Sequence, residues 1–73
     1  MATYRFQLSL TSEQILAYYR GDVRSVLVQT QQGLRLQIDL HHFRPYIQSE
    51  GITGQFELIT ATNDRFLSLK KIN

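Results

Sequence analysis

The sequence predicts a mainly β domain of the α+β class, with five short antiparallel strands and one short helix after the first strand. Three observations lead there: period-two alternation of apolar and polar residues, a helix-starting signature directly after the first alternating run, and turn-forming residues between the later runs. The chain has 73 residues. A chain this short buries only about 60% of the surface its unfolded form exposes, so one core, spanning residues 1–73 as a single domain, is the expectation.

From Thr3 to Leu10, the residues Tyr4, Phe6, Leu8 and Leu10 fall on one side and Arg5, Gln7 and Ser9 on the other, as in a half-buried strand. Thr11-Ser12-Glu13-Gln14 then forms a capping box, in which the Thr11 hydroxyl caps the amide three residues on and Gln14 reaches back. The helix carries Ile15, Leu16 and Tyr19 on its expected inner face and ends near Arg20-Gly21. Two turns are too short to be stable alone, so it must pack on the sheet. The run Val23 to Thr30 is apolar on both parities, predicting a central strand covered on both faces over part of its length. Gln31-Gln32-Gly33 turns the chain into Leu34 to Leu40, which alternates with Leu34, Leu36, Ile38 and Leu40 inward.

At 41–47, Pro45 removes a donor and biases Arg44 away from helix, predicting one helical turn or a 3₁₀ corner. Gly51 to Gly54 reads as a loop entering a strand. Thr53 to Ala61 and Arg65 to Ile72 make a second hairpin around Thr62-Asn63-Asp64. Five short strands with so little to cover two faces favour a strongly bent sheet or a small SH3-like or Sm-like barrel; the alternative is an open sheet with the helix on one face.

Composition excludes several classes. Without cysteine there is neither a disulfide framework nor a thiolate metal site. No apolar run approaches the roughly 20 residues of a membrane span, and the start lacks the pattern of a signal peptide, so a cytoplasmic protein without membrane contact is expected. The sequence pI is about 9.3, yet the net charge is only +2, from eight Lys+Arg against six Asp+Glu. Six of those cations are arginines, whose planar fork suits phosphate or carboxylate recognition.

No nucleophile–base set and no glycine-rich phosphate loop is present, since the glycines sit singly at turns; the protein is expected to be no enzyme and to carry no cofactor. His41 and His42 would point to opposite faces of a continuing strand and could not share an ion, so no metal site is expected. The suggestive group combines aromatics and cations. Tyr18 and Tyr46 are candidate stacking platforms, and Arg20, Arg24, Arg44, Lys70 and Lys71 candidate phosphate contacts, for a nucleic-acid partner. Arg20-Gly-Asp-Val-Arg24 also resembles the cyclic-dinucleotide motif of PilZ domains, but His41 and Arg44 stand where that motif continues with Ser and Gly.

Across nearly its whole length the chain resembles a small uncharacterised bacterial family catalogued as a domain of unknown function. The matching stretches are Tyr4-Arg5-Phe6, Tyr18-Tyr19-Arg20-Gly21, Phe43-Arg44-Pro45-Tyr46, Gly51-Ile52-Thr53-Gly54-Gln55-Phe56 and Asn63-Asp64-Arg65-Phe66-Leu67-Ser68-Leu69. The resemblance implies a stand-alone bacterial cytoplasmic protein and carries no activity or site. The leading expectation is therefore a non-enzymatic binding module for nucleic acid. Its rival is a protein-interaction or self-assembly module that uses an exposed strand edge. One positive patch holding aromatics favours the first; scattered cations favour the second.

Overall fold

The computed structural model describes all of residues 1–73. Strand β1 (Ala2–Thr11) leads into helix α1 (Ser12–Tyr19), then β2 (Ser25–Gln29), β3 (Arg35–Asp39), a 3₁₀ segment (Leu40–Tyr46), β4 (Gly51–Thr60) and β5 (Phe66–Lys71). The expected capping box forms: Gln14 N–H donates to Thr11 Oγ1 at 3.2 Å, and Thr11 N–H donates to Gln14 Oε1 at 2.8 Å. Asp39 starts the 3₁₀ segment in the same manner, its carboxylate accepting from His41 N–H at 3.2 Å.

All pairing is antiparallel, but the five strands divide into a three-stranded sheet, β1-β4-β5, and a two-stranded sheet, β2-β3. The SH3-like or Sm-like barrel is therefore not closed. Between β1 and β2 the only pairing is one bridge, Phe6↔Thr30, and beyond it α1 sits at the end of β1 and the strands part. On the other side, the 3₁₀ segment fills the gap between β3 and β5, where Tyr46 Oη donates to the Leu69 carbonyl at 3.0 Å.

The two sheets close over one core centred on Phe56. The rings of Phe43 and Tyr46 meet Phe56 edge to face at 5.2 and 5.5 Å, and Phe6 stacks on it at 6.0 Å. Such arrangements follow the quadrupole preference of aromatic rings. Leu8, Ile15, Val28, Ile38, Leu40, Ile52 and Leu58 complete the core.

Several boundaries and faces differ from expectation, each for a local reason. The helix buries Ile15 and packs Tyr18 against the core, whereas Leu16 and Tyr19 are exposed; two turns bury only an i, i+3 pair. Strand β2 is not covered on both faces, because Leu27 is 68% exposed. Gly51 and Gly54 belong to β4 itself rather than to a loop before it. A Cβ on Gly54 would lie 2.6 Å from Lys71 Cε and 2.7 Å from the Asn73 carbonyl, so the strand needs glycine where the C-terminal segment crosses it. Since the chain turns at Leu40, His41 and His42 do not diverge as in a strand: their ring centroids are 4.0 Å apart.

Candidate functional site

Backbone direction in β2 defines the most distinctive surface of the molecule. Thr30 N–H donates to the Leu34 carbonyl at 2.8 Å and Leu40 N–H to the Arg24 carbonyl at 2.9 Å, so the even-numbered residues of β2 bond to β3. It follows that Ser25 and Leu27 turn their N–H and C=O groups the other way, toward β1. Gln31 N–H donates to the Arg5 carbonyl at 2.8 Å, so the odd-numbered residues of β1 face β2 in turn. Past the Phe6↔Thr30 bridge the strands diverge, and Ser9 on one side and Ser25 and Leu27 on the other pair with no strand across the gap.

The result is a V-shaped notch of about 260 Å³. Its apolar lining comes from Leu10, Ala17, Val23, Val26, Leu27 and Leu40, with Gln14 and Ser25 as its polar members. Two strand edges with unmatched donors and acceptors thus face each other over an apolar floor. An open edge of this kind is a template for another chain. Reasoning on the sequence missed this site, although its signal was present. The run Val23 to Val28, apolar on both parities, reflects one face on the core and a second set of apolar residues at the notch.

The arginines named from the sequence lie on different segments. Arg20 and Arg24 flank the connection from α1 to β2, and Arg44 lies in the 3₁₀ segment between β3 and β4. Arg20 Nε pairs with Asp22 Oδ2 at 3.5 Å, within the Arg-x-x-x-Arg stretch itself. Arg24 and Arg44 are exposed and make no ion pair.

The lysines are separated. Lys70 is on the outer face of the sheet, where its Nζ lies 3.4 Å from Glu57 Oε1, while Arg5 Nε donates to Glu57 Oε2 at 3.1 Å. Lys71 lies across from Phe56 on the opposite face, with its stem over Gly54. The hydrogen bond from Arg5, aided by Lys70, holds the Glu57 carboxyl below its ordinary value of 4.5. Of the two tyrosines, Tyr18 packs on the core, and Tyr46 commits its hydroxyl to Leu69 and its ring to Phe56. The exposed tyrosine is Tyr19, 55% accessible and 5.2 Å from Tyr18.

No three His, Asp or Glu side chains converge as metal ligands would. No helix is long and apolar enough to cross a membrane. The fold and notch define a small two-sheet β module with an unclosed seam. Over residues 2–72 the chain matches the family described as Protein of unknown function (DUF2835), and it belongs to that family. No curated protein and no solved structure matches it.

Proposed function

We propose that the protein is a non-enzymatic interaction module that takes up an extended segment of a partner protein as an added strand in the notch between β1 and β2. The observation that carries this reading is the pair of unmatched strand edges facing each other across an apolar floor. Strand addition draws affinity from main-chain hydrogen bonds and specificity from pockets that accept alternate side chains. The notch offers both: free groups on Ser25 and Leu27, and a floor formed by Leu10, Val26 and Leu40. The occupant fitting it is a segment with apolar residues at alternate positions. The resemblance noted in the sequence supports a bacterial cytoplasmic setting for this role.

The nucleic-acid reading has less support, because Arg20 and Lys70 are each paired with a carboxylate and the two named tyrosines are packed. Selection of a displayed random decapeptide library on the immobilised protein tests the proposal. Enriched peptides with alternating apolar residues that perturb the Leu27 amide resonance are expected. Failure to enrich, together with salt-sensitive binding of a short single-stranded RNA, would overturn it in favour of nucleic acid.

A further inference from the structure

A second cavity, of about 120 Å³, opens on the other side of the molecule between β3 and the β4–β5 hairpin. Its polar lining comprises Gln37, Asp39, His42, Thr60 and Asp64, and Phe66 lies at its wall. Thr60 is only 7% exposed, and its hydroxyl is the one buried side-chain polar atom without a hydrogen-bond partner. A buried unpartnered hydroxyl costs free energy unless something meets it. Neither lysine nor arginine lines the cavity. Asp64 makes no ion pair, and Asp39 is engaged from one side by His41, whose Nδ1 is 2.9 Å from Oδ1.

We infer that this cavity binds a small N–H-bearing cation, an ammonium or guanidinium group, at the carboxylates of Asp39 and Asp64 and the hydroxyl of Thr60. The sign of the ligand follows from the lining: two carboxylates and an unpartnered hydroxyl ask for a donor with positive charge. The volume accepts a group of a few heavy atoms. This site is separate from the β1–β2 notch and stands without it.

The test is a titration of the protein with methylguanidinium and, in parallel, with methylammonium, followed by amide chemical shifts. Saturable shifts at Thr60, Asp64 and Phe66 are expected, and the stronger of the two ions identifies the group recognised. Asp64→Asn is expected to weaken binding about tenfold, the loss of one charge-assisted hydrogen bond. Asn tolerates the left-handed backbone of residue 64, where φ is 63°, so this variant is expected to fold. Thr60→Val, which keeps the shape and removes the hydroxyl, is the second variant and is expected to weaken binding as well. No saturable shift with either ion, or shifts unchanged in both variants, would overturn the assignment.

Discussion

The imidazole of His42 lies flat against the ring of Phe66, with centroids 3.8 Å apart and planes 12° from parallel. This contact ties the 3₁₀ segment to β5 on the side where that segment fills the gap between β3 and β5. Burial pushes the His42 imidazolium below its ordinary value of 6.5; the neighbouring charge of His41 adds to this and Asp39 opposes it. Asp64 lines the same cavity. Because the folded value is depressed, the unfolded chain binds more protons as the pH drops. The stabilisation is therefore complete above about pH 6.5 and is lost as the pH falls through the folded value. Thermal melts of the wild type are expected to show a falling midpoint on acidification from about pH 7 to about pH 5. His42→Phe, which keeps the stack without a titrating group, is expected to flatten that slope.

Glu57 provides a second acid-sensitive feature at lower pH. It is only 11% exposed because the side chains of Arg5 and Lys70 cover it on the outer face of the sheet. Its folded value is depressed, so its contribution is present above the unfolded value of 4.5 and is lost as the pH falls through the folded one. Glu57→Gln is expected to lower stability to urea at neutral pH, and the difference from wild type is expected to vanish once the carboxyl is protonated.

Gly51 is the position least tolerant of a side chain. Its φ is 114°, and an added Cβ would run into the carbonyl of Leu10 on β1. Backbone, unlike a flexible side chain, cannot swing aside. Gly51→Ala is expected to destabilise the protein by about 3 kcal/mol, measured by urea unfolding.

Tyr46 tests whether the seam between the 3₁₀ segment and β5 contributes to stability. Tyr46→Phe keeps the edge-to-face contact with Phe56 and removes only the 3.0 Å hydrogen bond to Leu69. A loss of about 1 kcal/mol is expected, the net value of one such bond. Faster amide exchange confined to β5 would accompany it.

Local chemistry was well legible in the sequence. The capping box at Thr11 and Gln14, the alternation of β1, the corner before Pro45 and the turn at Asp64 follow from side-chain pattern and backbone preference within a few residues. Closure was not legible, because it depends on whether β1 and β2 stay in register beyond Phe6 and Thr30. Alternation specifies faces, whereas the splay arises from where α1 sits. For the same reason Leu27 read as a covered residue: its apolar character was visible and the absence of a neighbouring strand was not. The arginines illustrate a different limit. Their type and number were plain, but the faces on which the cations lie, with Lys70 beside Glu57 and Lys71 on the opposite face, depend on the fold.

The central claim is that the edge of β2 receives an added strand, and the most direct measurement is the affinity of a library-selected peptide for the wild type and for Leu27→Lys. Leu27 is 68% exposed, so the substitution is expected to leave the thermal midpoint unchanged while placing a charge at the open edge. The expected result is affinity weakened about tenfold or more, with the peptide's contacts at Ser25 and Leu27 lost. Equal affinity in the two proteins would contradict the claim.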